Sequence, residues 1–577
     1  MDPVTLAVVR GALEQIADEM DQHLIHAALS PIISETNDCA HGIFLPDTGE
    51  TVAQGRFGLP VFLANMQFTV QNLVEHVRAH GGFSPGDVWI LNDPYLSGTH
   101  LQDVVLVAPH FVDEELFALL ASTGHWMDIG GSVPGGWAPA AQDIHTEGIL
   151  IPPCKLYEAG RLNDGLVSMF TGNVRLPDQI RGDMFAMANV FHVGQRGLDA
   201  LVARYGRETL SDCIAALNDR SERQMRSYIE EIPDGVYEYE DFMDNDGIVD
   251  APIRVALKLT VRGDNLHFDF TGSDPAARGP LNLARSTTQS TCFIALKHIF
   301  AEVPVNGGAF RPTAFDIPEG SVVAASYPSP VSGYLEPIGR VFDVVIGALS
   351  LAIPDRVPAP AFGTVGVITA GGRQPDTGDY FVAVFPYPGG YGGYSGGDGL
   401  VNGTPPVSMA NFMSIEASEH RYPLQFDEYA LRENSGGAGT FRGGCGTQYR
   451  IRTLSEMTIS VLGDRQDHPP FGIAGGHAAA PSRLVIKADG REERPPMRSK
   501  VQKTVLSPDD WVYAQTPGGG GFGDPTERAP DTVLEDVEMG YITIEAARDT
   551  YKVVIRETAD RPLRIDTGAT ETLRASD

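Results

Sequence analysis

Residues 88–125 read VWILNDPYLSGTHLQDVVLVAPHFVDEELFALLASTGH and alternate short apolar runs with polar loops. The runs at 88–91, 104–108 and 116–120 are bounded by Gly, Pro, Asn and Asp, which is typical of buried strands. If 104–108 and 116–120 pair antiparallel, the start of one strand lies beside the end of the other. The stretch therefore predicts a sheet with polar loop residues gathered along one edge.

Helical and strand patterns extend outward from this sheet in both directions. Asp2 is placed to cap a helix that begins at Pro3, where a missing N–H costs nothing. Apolar periodicity and turn residues predict helices over 3–28, 66–79, much of 163–231, 284–302, 338–353 and 528–557, strands over 41–54, 236–275 and 416–515, and a loop over 386–399. The predicted fold class is α+β, with multi-domain mixed sheets, helical segments and a Gly-rich, β-dominated C-terminal half.

Four regions are predicted along the chain. They are an N-terminal α/β metal-site region at 1–160, a helical region at 161–235, a mixed α/β region at 236–415, and a β-rich, Gly-rich region with a C-terminal helix at 416–577. A chain of 577 residues with 42% hydrophobic residues can bury several cores.

Charge and cysteine usage exclude several functional classes. The formal net charge of −32 argues against a nucleic-acid partner, because an acidic surface repels phosphate backbones. The five cysteines are widely spaced and form no CxxC pair, which suits a reducing cytoplasm. The N-terminal residues do not resemble a signal peptide, and no apolar run is long enough for a membrane span. We therefore expect a cytoplasmic protein without a membrane partner.

Three residues in the opening stretch are candidate metal ligands. His100 and Asp103 lie three positions apart at the entry to one strand, and His125 follows the neighbouring strand. Two imidazoles and a carboxylate suit a divalent transition ion that activates water or polarises a carbonyl or phosphoryl oxygen. The alternative is that these histidines only hydrogen-bond the backbone of Gly-rich loops. Spacing alone does not decide between the two.

Asp128 and Glu147 are candidate proton-transfer residues because they follow this window closely. A carboxylate near an activated water can serve as a general base, or it can orient an imidazole. The alternative for each acid is a structural role in a turn or a helix cap.

Two Gly-rich segments at 435–444 and 516–525 offer backbone amides that can cradle a phosphate. Neither segment contains GxxxxGK[ST], and neither forms a strand–GxGxxG–helix unit. No GxSxG nucleophile elbow is present either. Structural turns are therefore the preferred interpretation, and no ATP site is predicted in this chain.

The distinctive residues resemble the hydantoinase B / oxoprolinase family from about residue 3 to residue 557. They are Glu35 with Asp38, 53–55 (AQG), 92–95 (NDPY), 98–103 (GTHLQD), 124–131, 435–444, 516–520, and Asp536-Val537 with Gly540-Tyr541. The resemblance implies a hydantoinase A-type partner subunit with an actin/hexokinase-like fold that holds ATP–Mg. It also implies that His100, Asp103 and His125 bind a divalent transition metal (Zn, Mn or Fe), with Asp38 as a fourth ligand.

The same resemblance implies the activity. Family members open hydantoin, oxoproline or lactam rings with ATP, whereas relatives carboxylate acetone or acetophenone. We expect a hetero-oligomeric cyclic amide or imide hydrolase in which the partner phosphorylates the carbonyl oxygen and this chain hydrolyses the activated carbonyl. The alternatives are a ketone carboxylase subunit and a non-catalytic scaffold for the ATPase.

Some positions depart from the family pattern and leave the substrate open. Ser34 and Thr36 stand where relatives often carry basic residues, and Phe62 stands where many carry a histidine.

Overall fold

The structure is a computed structural model that describes residues 2–557 and 563–575. Those residues form several sheets and thirteen helices, which confirms the predicted α+β class with mixed sheets and helical segments. The helices are α1 Pro3–Ala27, α2 Pro31–Ser34, α3 Pro60–Ala79, α4 Pro94–Ser97, α5 Asp164–Thr171, α6 Pro177–Tyr205, α7 Arg207–Ile229, α8 Arg285–Ile299, α9 Leu335–Ala352, α10 Ile415–Arg421, α11 Pro530–Glu538, α12 Ile544–Asp549 and α13 Thr567–Arg574.

The strands of the described ranges fall mainly into four larger sheets. In chain order they are β1 Cys39–Phe44, β2 Thr51–Gln54, β3 Val88–Leu91, β4 Asp103–Val112, β5 Glu115–His125, β6 Cys154–Glu158, β7 Arg161–Leu162, β8 Gly235–Met243, β9 Ile253–Arg262, β10 Asn265–Asp269, β11 Thr313–Asp316, β12 Val367–Arg373, β13 Tyr380–Pro386, β14 Leu424–Leu431, β15 Thr447–Thr453, β16 Met457–Leu462, β17 Arg483–Ala488, β18 Arg491–Glu493, β19 Val501–Leu506, β20 Trp511–Gln515, β21 Ile555–Arg556 and β22 Arg564–Ile565.

The N-terminal sheet positions the candidate site. Its strand order within the described residues is β2-β1-β5-β4-β3-β6-β7, and each neighbouring pair is antiparallel. The predicted pairing of the strands at 104–108 and 116–120 is confirmed, with Val107 opposite Ala121. Helix α1 packs against α6 and against β1, as its buried apolar stripe requires.

Two element boundaries differ from the sequence prediction. Helix α3 begins at Pro60 rather than at 66, because Pro60 sits in the first turn and Val61, Phe62 and Leu63 are buried. The helical region at 163–231 divides into three helices, and Gly206, with φ 79°, separates the last two. A positive φ is accessible to glycine without a steric cost.

The other sheets lie farther along the chain. Their orders within the described part are β11-β10-β9-β8, β13-β12-β16-β19 and β14-β15-β20-β17-β18. The predicted hairpin at 263–265 joins β9 to β10. The region limits 1–160, 161–235, 236–415 and 416–577 stay predictions, and residues 1, 558–562 and 576–577 lie outside the described residues. No described helix has both the length and the apolarity needed to cross a bilayer.

The Gly-rich segments form interlocked extended chains. The amide of Gly519 donates to the carbonyl of Gly444 at 3.0 Å, and the amide of Gly521 donates to that of His477 at 2.9 Å. A Cβ atom on Gly519 would lie 2.0 Å from the Tyr391 carbonyl oxygen, so only glycine fits there. Because these amides are paired with backbone carbonyls, they are not available to a phosphate.

Candidate metal centre

The candidate ligands converge at one edge of the N-terminal sheet. Asp103 opens β4 and lies directly opposite His125, which closes β5. On the other side of β5, Cys39 pairs with Gly124, so Asp38 lies beside His125. The carbonyl of Asp38 accepts a hydrogen bond of 3.1 Å from the His125 amide. Strand register therefore accounts for the convergence of three of the four predicted ligands.

His100 reaches the same edge from a strained turn. The Asp93 side chain accepts a 3.0 Å hydrogen bond from the Tyr95 amide and caps the short helix α4, and Gly98 follows at φ 70°. Thr99 then adopts φ 60°, an outlier for a β-branched residue. The Thr287 hydroxyl accepts the Thr99 amide at 3.0 Å and helps to hold this conformation. Such strain costs about 1–3 kcal/mol and concentrates at functional sites.

The potential ligand atoms form a compact triangle. His100 Nε2 lies 3.2 Å from Asp103 Oδ1 and 3.3 Å from His125 Nδ1, and the third side is 3.0 Å. Ligand atoms about 2.0–2.1 Å from a tetrahedral ion are about 3.3–3.4 Å apart, close to these separations. The three residues are 1%, 1% and 2% exposed. Buried donors at ligand-edge distances fit a metal ion.

Electrostatics at the triangle also fit a cation. Burial raises the pKa of Asp103, but the charges and hydrogen bonds of His100 and His125 outweigh burial and hold it well below its usual range. Among the described residues, His100 Nδ1 and His125 Nε2 have no hydrogen-bond partner. The carboxylate is therefore the anionic member of the donor set.

A small cavity of about 70 Å³ lies beside the triangle, and Asp38 lines it together with His100 and His125. Its buried Oδ1 atom has no hydrogen-bond partner among the described residues. Burial raises the pKa of Asp38 to about 7, opposed by His125 and reinforced by Asp103. The cluster of ligand atoms within 4.8 Å of one another consists of His100, Asp103 and His125, so Asp38 as a fourth ligand stays a prediction.

Aromatic side chains that sequence reasoning missed form the walls. The His100 ring lies 4.7 Å from the Trp137 ring and 4.8 Å from the Tyr334 ring, measured between centroids. The Tyr334 hydroxyl donates to Asp103 Oδ2 at 3.4 Å. Phe62 lines the cavity with an apolar ring. Tyr334 is 231 positions from Asp103, so no local pattern indicated it.

The two predicted proton-transfer acids lie elsewhere in the fold. Asp128 accepts the backbone amide of Arg175 and its guanidinium, the latter at 2.8 Å. Glu147 accepts the amides of Ser332 at 2.8 Å and Val331 at 3.1 Å. Both carboxylates thus fix neighbouring segments, and neither belongs to the described lining of the cavity. Their part in catalysis stays a prediction.

The chain matches a family model and a relative over most of its length. A family model described as hydantoinase B/oxoprolinase matches residues 2–525. The caprolactamase subunit beta of Pseudomonas jessenii is 33% identical over 599 aligned positions, covering 100% of this chain and 99% of the relative.

Solved structures agree with that match. The crystal structure of ATP-dependent caprolactamase from Pseudomonas jessenii matches with a TM-score of 0.89 at 31% identity, and the match covers 100% of each chain. A nucleotide-free acetone carboxylase structure has a TM-score of 0.92 at 20% identity, covering 100% of this chain and 83% of the other, which shows the shared fold. The resemblance seen in the sequence is confirmed. The chain belongs to the hydantoinase B/oxoprolinase family.

Proposed function

We propose that this chain is the metal-bearing subunit of an ATP-dependent cyclic amide or imide hydrolase of the hydantoinase, oxoprolinase or lactamase type. The observation that carries the proposal is the buried triangle of His100, Asp103 and His125 beside a small cavity. A bound divalent ion would polarise a carbonyl oxygen or lower the pKa of a water molecule there. Zn, Mn and Fe all accept two imidazoles and a carboxylate.

The residues around the triangle would prepare it for hydrolysis. Trp137 and Tyr334 cover the His100 ring and restrict the access of bulk water, which strengthens electrostatic interactions in the site. The Tyr334 hydroxyl orients Asp103 through the carboxylate oxygen that lies outside the triangle. The cavity is lined mainly by apolar side chains, which suit the methylene groups of a cyclic amide.

A partner subunit would supply ATP. The sequence lacks a P-loop, and the amides of Gly519 and Gly521 are paired internally. The caprolactamase relative is named as a beta subunit of an ATP-dependent enzyme, which supports a two-component assembly here. In this proposal a hydantoinase A-type ATPase subunit holds ATP–Mg and phosphorylates the carbonyl oxygen, and the activated carbonyl is then hydrolysed at the triangle.

The second candidate is a subunit of a ketone carboxylase. The fold shared with acetone carboxylase is the observation that favours it, although identity is 20% there against 31% for the caprolactamase. A carboxylase would use ATP in the presence of a ketone rather than a cyclic amide, and it would incorporate the carbon of bicarbonate into the product.

The test is turnover by the chain assembled with its ATPase partner. A panel of lactams, hydantoins, 5-oxoproline and ketones is incubated with ATP and labelled bicarbonate. We expect a ring-opened product that carries no label from bicarbonate. We also expect His100→Ala to lose ring opening while the basal ATPase activity of the partner persists. His145→Ala is the control, because His145 instead contacts the Tyr327 hydroxyl at 2.9 Å. Full turnover in His100→Ala overturns the proposal, and labelled product supports carboxylation.

A further inference from the structure

A second and larger cavity lies beside the metal cavity. Its volume is about 670 Å³, within the range of about 300–1,000 Å³ that is typical of small-molecule sites. The first turns of α3 separate the two cavities. Leu63 and Ala64 line the large cavity, and Val61 and Phe62 line the small one. The large cavity therefore has its own walls, built from α1, β2, α3, α7 and α8.

Most of its accessible wall is apolar. The apolar side chains that face it include Leu13, Val52, Leu63, Leu217 and Phe293 from these elements, and Phe310 from the 3-10 helix Gly307–Phe310. The rim also carries Met409, which is 59% exposed. A wall of this composition fits a ligand with an aliphatic or aromatic body.

Positive charge collects in this cavity although the chain is strongly acidic. Four cationic side chains and two carboxylates line it, in a protein of net charge −32. Three of the cations are engaged: Arg10 pairs with Glu14, Arg56 pairs with Asp18, and Lys297 donates to backbone carbonyls. The fourth, Arg220, has no hydrogen-bond or ion-pair partner among the residues described. Its guanidinium is free to take a carboxylate in a bidentate pair.

His298 supplies a hydrogen-bond acceptor in the same cavity. Its Nδ1 lies 3.0 Å from the Ile294 carbonyl, which accepts the Nδ1 proton and leaves Nε2 as the acceptor of the neutral ring. The His298 side chain is accessible from the open side of the cavity, and the surrounding protein atoms partly desolvate it. This desolvation lowers the pKa of His298 and keeps the ring neutral near pH 7. A ligand N–H or O–H can therefore donate to it.

The segment 53–55, distinctive in the sequence but unused by the metal centre, forms part of this wall. A Cβ atom on Gly55 would lie 1.9 Å from Asp21 Oδ2, so glycine is required for β2 to end against Asp21. Asp21 is in turn fixed by His41 Nδ1 at 2.7 Å. This buried contact holds Gln54, with its amide side chain, at the cavity.

We propose that this cavity binds an amphipathic organic carboxylate, with the acid paired to Arg220, the apolar body on the wall of α3, α7 and α8, and an N–H or O–H group donating to His298. The site is independent of the metal triangle and of the activity proposed for it. A neutral ligand of the same shape lacks the charge-assisted pair with Arg220 and binds more weakly.

Calorimetric titration of the full chain with N-acetyl-leucine, and with its neutral primary amide, tests the assignment. We expect saturable binding of the acid, weakened at least tenfold in Arg220→Gln and for the amide. Arg223→Gln is the matched control, since Arg223 is exposed on the same helix but does not line the cavity. The acid should bind His100→Ala as it binds the unmodified chain, which separates this site from the metal centre.

Two results would overturn the proposal. One is the absence of saturable binding of the acid to the unmodified chain. The other is equal affinity of the unmodified chain and Arg220→Gln, which would show that the charge pair does not form. Arg220 is a surface residue, so its substitution leaves the fold intact.

Discussion

Gly519→Ala tests whether the Gly-rich segments are structural. The new Cβ atom would lie 2.0 Å from the Tyr391 carbonyl oxygen, so the two chains must separate by more than 1 Å. Gly519 donates to Gly444 at 3.0 Å and accepts from Gly437 at 2.8 Å, and separation breaks both hydrogen bonds. Each bond contributes about 1 kcal/mol, and overpacking costs about 1–3 kcal/mol. We expect a loss of about 3–5 kcal/mol in the free energy of unfolding.

Urea unfolding followed by tryptophan fluorescence measures this loss against a control of opposite sign. Gly11 lies in α1, and no heavy atom is within 4 Å of the position that a Cβ atom would take there. Gly11→Ala should therefore stabilise the chain by about 0.5–1 kcal/mol through backbone entropy. If Gly519→Ala unfolds within about 0.5 kcal/mol of the unmodified chain, the interlocked arrangement is refuted and a ligand-binding role for the segment reopens.

Three further predictions follow from buried polar groups. Tyr334→Phe should weaken metal affinity about 10–100-fold, because Asp103 Oδ2 loses its partner; chelator competition measures this, and unchanged affinity contradicts it. Burial raises the pKa of Glu147 to about 8 from 4.5, so stability should fall as pH rises between these values, by about 5 kcal/mol at most. Across that pH window the melting temperature of Glu147→Gln should fall less steeply with pH than that of the unmodified chain. Equal slopes would show that another group causes the pH dependence. Arg465→Met removes the nearer of the two guanidinium groups that pair with the buried Asp343, leaving only Arg340 at 3.6 Å, and should cost about 3–5 kcal/mol by urea unfolding, whereas an unchanged midpoint contradicts this.

The sequence was most informative where local pattern and burial agree. Asp2 and Pro3 fixed the start of α1, and it begins there because the cap and the proline act within one turn. The early start of α3 was missed, since its first apolar residues face two cavities rather than one stripe. The Gly-rich segments have no periodicity, and their hydrogen-bond partners are remote in the chain. Their packing is therefore invisible to local patterns.

The candidate site was predictable to the extent that it follows strand register. The proximity of Asp103 and His125 follows from one antiparallel pair, which the apolar runs indicated. The positions of Trp137 and Tyr334 depend on long-range packing, so nothing in the sequence around His100 pointed to them. Asp128 was predicted to transfer protons because it is near His125 in sequence, but its side chain instead accepts a hydrogen bond from Arg175.

Metal analysis tests the central claim most directly. The chain is co-purified with the proposed ATPase partner, and the metal content is compared among the unmodified chain, His100→Ala and the control His145→Ala. The account predicts about one transition-metal ion per chain in the unmodified protein and in the control, and loss of the ion in His100→Ala. Equal metal content in His100→Ala and the unmodified chain, or no metal in any sample, would contradict it.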